Sequence, residues 1–285
     1  MEFVRPASWA DALAAKAAAP TALPIAGGTD VMVEINFDRR RPDVLLDLNP
    51  VADLADWAFD RSTVVIGAGV PYTRLITELG GSLPGLAVAS RTVGSPQIRN
   101  RGTLGGNLGS ASPAGDTHPV LLALDAVVDV ASVRGARYVP IDEFYLGVKK
   151  SALEPDELIR SVRVPLHTGP CHFAKIGTRN AMVIAVCSFA VALHVSDRLV
   201  RSGIGSAAPT PVRAPDAEAF AAASLDWEGR GVLADSVAHR FGELAAEAAS
   251  PIDDVRGSAR YRRHALAVLA RRTLTWAWEE YRSCA

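Results

Sequence analysis

The sequence predicts an α+β chain of two or three packed units, and three observations carry that expectation. Strand-like and helix-like segments alternate through residues 1–167, two long apolar strands face each other across Ser196-Asp197, and the C-terminal stretches carry apolar residues at helical spacing. With 285 residues the chain also exceeds one small domain, at roughly 100–200 residues per domain.

Ser8 opens an Ala-rich run to Ala19, with Asp11 three residues on. A hydroxyl and a carboxylate at that spacing can satisfy free amides of a first helical turn, so a helix is expected, ended by Pro20 and Pro24. Ile25 leads into Ala26-Gly27-Gly28-Thr29-Asp30 and the apolar positions Val31, Val33 and Ile35, and Val44 to Leu48 reads as a short buried strand. Thr63 to Val70 is expected as a strand, Pro71 to Leu79 and Leu86 to Arg91 as helices, and the glycine-rich stretch Gly94 to Gly115 as loop. Val120 to Val133 reads as helix then strand, and Ile141 to Phe144 as the start of a polar loop ending near Pro155. A boundary is expected at Pro165 to Pro170. Beyond it, Val183 to Val195 and Arg198 to Ile204 read as an antiparallel pair, and Pro209, Pro211 and Pro215 break the pattern. Trp227 to Val232 then connects to two helices, Leu233 to Ala249 and Tyr261 to Tyr281, the second with Leu266, Leu269, Thr273 and Trp276 at helical spacing.

Thirty basic residues stand against thirty-one acidic ones, a balance that gives no electrostatic footprint for nucleic acid or an anionic membrane. No run of roughly 18 apolar residues could span a bilayer. Met1 to Ile25 carries Glu2 and Asp11 and does not read as a signal peptide, so a cytoplasmic location is the default expectation. Cys171, Cys187 and Cys284 are too scattered for a disulfide framework or a metal or cluster site, and no metal ligands are assigned.

The chemistry sits in the glycines. A dinucleotide carries two negative phosphates, which a chain neutralises by turning several backbone amides toward one point, and that needs residues with no β-carbon in the way. Gly27-Gly28-Thr29 supplies one such turn, and Thr103-Leu104-Gly105-Gly106-Asn107 offers a second that can converge with it. A third candidate fails: Gly67-Ala68-Gly69 follows a strand as a Rossmann fingerprint would, but Pro71 interrupts, Tyr72 replaces the third glycine, and Ala89 and Ser90 stand where an acid is needed.

Extended from Gln97 to Asp116 and taken with Ala26 to Asp30, the two segments resemble the paired FAD-binding motifs of the flavin subunits of molybdenum hydroxylases. That family includes xanthine dehydrogenase and aerobic carbon monoxide dehydrogenase. Further matches at Gly147 to Ile159 (GVKKSALEPDELI), Ala207 to Ala214 (AAPTPVRA) and Asp253 to Arg263 (DDVRGSARYRR) carry the resemblance over nearly the whole chain. It implies the FAD-binding fold of the vanillyl-alcohol-oxidase (PCMH) type: two α/β subdomains, 1–57 and 58–167, followed by a C-terminal domain of antiparallel sheet and helices, 168–285. It further implies that Ala26, Gly27, Gly28, Thr29 and Asp30 wrap the FAD pyrophosphate and that Thr103, Leu104, Gly105, Gly106 and Asn107 close over it. Ser110 and Asp116 would bond the diphosphate or the sugar hydroxyls, with Leu158 and Lys175 near the isoalloxazine ring, Lys175 offering positive charge to reduced flavin. Thr29-Asp30 stand where tethering relatives commonly place a histidine, so the FAD is expected to be non-covalent.

By the same resemblance no catalytic acid or base belongs to this chain. A large molybdopterin-binding subunit and a small subunit with two [2Fe-2S] clusters are the implied partners, in a dimer of heterotrimers, and the acceptor is NAD, a quinone or oxygen. The segment Lys175 to Ile184 would border the ring, with Val183 where relatives often carry an acid. Three scattered cysteines argue against the subgroup of benzoyl-CoA type reductases. Two other classes stay open, a self-contained flavin oxidoreductase of this fold and a scaffold that has lost its flavin. The arginines from Arg256 to Arg272 are expected on a basic face of the last helix, solvated or docked on an acidic partner, with Arg262 and Arg263 as its test positions.

Overall fold

A computed structural model describes residues 1–284. The chain opens with β1 (Glu2–Val4), α1 (Trp9–Ala18), β2 (Leu23–Ile25), α2 (Val31–Asn36) and β3 (Val44–Asp47), whose strands make a parallel sheet in the order β1-β3-β2. Ser8 caps α1 as its spacing predicts, its Oγ accepting from the Asp11 amide at 3.1 Å and donating to the Asp11 carboxylate at 2.7 Å. The buried ammonium of Lys16 closes the other end, donating to the carbonyls of Pro20 and Ala22, each at 2.7 Å. Val31, Val33 and Ile35 fall on α2, none of whose residues is buried.

Next come β4 (Trp57–Asp60), β5 (Thr63–Gly67) and five short helices, α3 (Tyr72–Glu78), α4 (Pro84–Arg91), α5 (Pro96–Arg101), α6 (Leu104–Ser110) and α7 (His118–Ala123). They are followed by β6 (Val127–Ser132), β7 (Gly135–Pro140), α8 (Ile141–Phe144), the small hairpin β8 (Tyr145–Gly147) and β9 (Lys150–Ser151), and β10 (Leu158–Pro165). The larger sheet is antiparallel throughout, in the order β4-β5-β10-β6-β7.

Two loop expectations fail in this region. Gly94 to Gly115 holds α5 and α6, because Ser95 and Thr103 each cap a helix, their side-chain oxygens accepting from the amides of Ile98 at 3.3 Å and Gly106 at 3.0 Å. Pro96 starts α5 where a missing N–H leaves nothing unbonded. The glycines serve close approach instead: a Cβ on Gly105 would lie 2.4 Å from Ala68 Cβ. Ile141 to Phe144 is one helical turn rather than loop, since Ile141 and Phe144, three residues apart, both bury into the core.

The remainder is β11 (Cys171–Gly177), β12 (Ala185–His194), β13 (Leu199–Gly205), α9 (Pro215–Ser224), α10 (Asp235–Glu247) and α11 (Ala259–Ser283). The strands pair antiparallel in the order β11-β12-β13, so the expected pair acquires a third strand from Cys171–Gly177. Pro215 begins α9 rather than breaking the chain, because proline's fixed φ suits a first helical position. β12 is buried on both faces, which explains its unbroken apolar run: Ala190 and Ala192 face the core shared with the larger sheet, while Cys187, Phe189, Val191 and Leu193 face α10 and α11. The two cores meet at α7, which lies so close to β13 that a Cβ on Gly203 would come within 2.0 Å of the Pro119 carbonyl oxygen.

Arg262 is not part of an outer basic face. It is 1% exposed, and its guanidinium donates to the carbonyls of Val186 and Ser206 at 2.7 and 2.8 Å and to the Asp254 carboxylate at 2.6 Å. Helical phase explains this, since Arg262 lies four and seven residues before the buried Leu266 and Leu269 and shares their side. Arg263 is exposed. Among the described residues, no helix is long and apolar enough to cross a membrane.

Candidate cofactor site

The site is built where β2 stops. Beyond Ile25 the chain turns through Ala26 to Asp30 before entering α2, with Gly28 at a φ of +73°, left-handed backbone that glycine adopts without strain. Asn49, just past β3, steadies the turn by donating from Nδ2 to the Ala26 carbonyl at 2.8 Å and to Asp47 at 2.6 Å. The amides of residues 26 to 30 make no hydrogen bond to any described residue. Five consecutive N–H groups without a partner ahead of a helix are a donor set suited to an anion.

The second glycine segment does meet the first. A Cβ on Gly27 would fall 1.9 Å from the Arg101 carbonyl oxygen and 2.9 Å from Gly102 Cα, and one on Gly102 would lie 3.4 Å from Thr29 Oγ1. Gly27 therefore packs against the Arg101-Gly102 backbone, and the Thr29 side chain lies beside Gly102. In the second segment, however, only the Thr103 amide is without a partner among the described residues. Leu104 N donates to Val70 O at 3.3 Å, Gly105 N to Ala68 O at 3.1 Å, Gly106 N to Thr103 Oγ1 at 3.0 Å and Asn107 N to Thr103 O at 3.0 Å. The start of α6 is docked on the segment just after β5, where Ala68 and Val70 take two of its donors, and the Thr103 cap takes two more. This side adds half-buried Asn107, whose Oδ1 accepts from Thr117 Oγ1 at 2.8 Å and whose Nδ2 makes no bond to any described residue. Ser110 Oγ donates back to the Asn107 carbonyl at 2.9 Å.

Asp116 and Lys175 come together beside Thr92, the residue after α4. Lys175 Nζ, on β11, donates to Asp116 Oδ2 at 2.6 Å and to the Thr92 carbonyl at 3.1 Å, and Thr92 Oγ1 donates to the same Oδ2 at 2.9 Å. Both side chains are at least nine-tenths buried, so Lys175 is no surface residue, and its charge is already matched by a carboxylate. Burial pushes the Asp116 carboxyl above the usual range, opposed by the Lys175 ammonium. Asp116 Oδ1 is buried and has no partner. An orphaned carboxylate oxygen is an acceptor that calls for a donor from elsewhere, such as a sugar hydroxyl. Leu158 lies buried on β10 opposite Ala131 and supplies apolar packing to the first core. The segment after β11 forms a surface groove of about 340 Å³ lined by Thr178, Arg179, Met182, Val183, Ile184 and Arg256.

Asn49, Thr92, Arg101 and Thr117 belong to this arrangement and were not picked out from the sequence. Thr92 acts 24 positions from Asp116, and Arg101 acts through its backbone, so neither spacing nor side-chain type marks them.

Fold and donor set together suit a protein that binds a phosphate-bearing cofactor, with amides unpartnered among the described residues at the turn between β2 and α2. A family model described as the FAD binding domain in molybdopterin dehydrogenase matches residues 1–167, and one described as the CO dehydrogenase flavoprotein C-terminal domain matches residues 172–277. The chain is 30% identical to the xanthine dehydrogenase FAD-binding subunit of Escherichia coli O157:H7, over 96% of this chain and 95% of that one. It is 32% identical to the nicotine 6-hydroxylase medium subunit of Paenarthrobacter nicotinovorans, over 97% of each. Its structure superposes on quinoline 2-oxidoreductase from Pseudomonas putida 86 with a TM-score of 0.90 at 26% identity, covering 99% of this chain and 98% of that one. The chain belongs to the FAD-binding medium subunits of the xanthine dehydrogenase and carbon monoxide dehydrogenase family, the flavoprotein components of molybdenum hydroxylases.

Proposed function

We propose that this chain holds FAD without a covalent bond and acts as the station where electrons leave a molybdenum hydroxylase. The carrying observation is the row of unbonded amides from Ala26 to Asp30, set against the Arg101-Gly102 backbone. In this reading Ala26, Gly27, Gly28, Thr29 and Asp30 face the pyrophosphate. Thr103 to Asn107 and Ser110 wall the opposite side, Leu104, Gly105 and Gly106 by shape and Asn107 by its free Nδ2. Asp116 Oδ1 accepts from a cofactor hydroxyl, and Leu158 and Lys175 back the region of the ring. The cleft then lies between subdomains 1–57 and 58–167, with 168–285 bringing Lys175 to it.

FAD held by these residues would supply the redox chemistry, exchanging electrons one or two at a time. The chain's residues bind it, orient it and leave one side open. The partners in this reading are a large molybdopterin-binding subunit and a small [2Fe-2S] subunit, assembled as a dimer of heterotrimers. The acceptor is NAD, a quinone or oxygen, approaching over the Thr178 to Ile184 groove, where Val183 brings no charge.

Acid precipitation of the yellow protein should leave FAD in the supernatant, and the apo-chain should regain its absorbance on adding FAD. Flavin that stays with the precipitate would overturn the non-covalent reading, and a folded chain that takes up no FAD would overturn the function.

A further inference from the structure

Asn107, on α6, has a side-chain amide whose N–H donors reach no described residue, and its carboxamide can face either way. An amide turned with Nδ2 outward offers two donors to a phosphate or a flavin carbonyl, whereas one turned with Oδ1 outward repels both. The choice is made from beneath. Thr117, the residue preceding α7, is 0% exposed, and its Oγ1 donates to Asn107 Oδ1 at 2.8 Å. With Oδ1 held by a buried hydroxyl, Nδ2 is turned away from the core.

The surroundings of Thr117 reinforce this. The Tyr72 phenol sits beside it, buried and without completing a hydrogen bond, so it does not compete for Asn107. The neighbouring residue, Asp116, takes Lys175 Nζ at 2.6 Å and Thr92 Oγ1 at 2.9 Å. A single buried dipeptide, Asp116-Thr117, thus sets two side chains of the site, one by charge and one by a hydroxyl proton.

We propose that Thr117 is a positioning residue of this site, holding the Asn107 carboxamide with its N–H donors toward the bound FAD. The proposal rests on the reading of the cleft as the FAD site. It goes beyond that reading in assigning a role to a fully buried residue that acts through Asn107.

The test is FAD titration of the apo-form of the full chain, followed by flavin fluorescence and by the visible circular dichroism of the bound flavin. Thr117→Val keeps the shape and removes the donor, so FAD should bind roughly five- to ten-fold more weakly with an altered dichroism band. Thr117→Ser keeps the donor and should bind within about twofold of wild type. In an Asn107→Ala background, Thr117→Val should have no further effect, because the hydroxyl then has nothing to orient. Unchanged affinity and dichroism in Thr117→Val would overturn the proposal, as would Thr117→Ser as weak as Thr117→Val, or additive effects in the double variant. Should Thr117→Val fail to fold, the comparison of Thr117→Ala with Thr117→Ser isolates the same hydroxyl and is read by the same criteria. Wild-type protein that takes up no FAD would sink the cleft reading itself, whereas wild-type uptake with an indifferent Thr117→Val sinks only this inference.

Discussion

Gly27→Ala is the sharpest perturbation of the cleft. The added Cβ would sit 1.9 Å from the Arg101 carbonyl oxygen, 2.5 Å from the Arg101 carbonyl carbon and 2.9 Å from Gly102 Cα, all backbone atoms that no rotamer change can move. Ordinary contact is at roughly 3.4 Å, so the two backbones must separate by about 1.5 Å. A hydrogen bond to phosphate stretched that far is lost. Losing two charge-assisted bonds, at roughly 1.5 kcal/mol each, weakens FAD by about 3 kcal/mol, or roughly 150-fold in Kd. Overpacking should also cost on the order of 1–3 kcal/mol of stability. Titrating apo-protein with FAD measures the first effect and urea unfolding the second. Gly81→Ala, where a Cβ would meet nothing within 4 Å, is the control and should leave both unchanged. A Gly27→Ala protein with wild-type FAD affinity would refute the claim that this close approach shapes the site.

His118 is 0% exposed, neither ring nitrogen has a partner, and burial holds it down to about 4. The unfolded chain therefore binds a proton that the folded chain refuses between about pH 6.5 and 4, so stability falls as pH drops through that window, by up to about 3 kcal/mol. His118→Leu should flatten that part of the urea-midpoint profile while changing little at pH 7.5; an unaltered slope would rule His118 out as its source. Arg262→Ala strips a donor from two buried carbonyls and from Asp254, and should cost on the order of 3 kcal/mol, whereas exposed Arg263→Ala should cost almost nothing. Equal melting temperatures for the two variants would contradict the burial of Arg262.

Local chemistry was legible in the sequence wherever a structure closes within a few residues. Ser8 with Asp11 announced a cap, Ser196-Asp197 announced a turn between strands, and the spacing of Leu266, Leu269 and Thr273 announced a buried helical face. Gly27 and Gly28 marked a turn that excludes a β-carbon, Gly28 for its left-handed backbone and Gly27 for its approach to Arg101. The helices within Gly94 to Gly115 were hidden by their glycine content, although their caps, Ser95 and Thr103, stood in plain view.

The sequence by itself determined which backbone groups could be offered to a phosphate, since glycine content and turn chemistry are properties of neighbouring residues. Tertiary structure decided which of them remain free. Ala68 and Val70, just after β5, take up the amides of Gly105 and Leu104, while no described residue accepts from the amides of Ala26 to Asp30. Distant packing likewise decided that Lys175 meets Asp116, that Thr117 aims Asn107 and that Arg262 turns inward. A hydrogen-bonding group is spent or spared by partners that the fold brings from far along the chain, and no local spacing records that encounter.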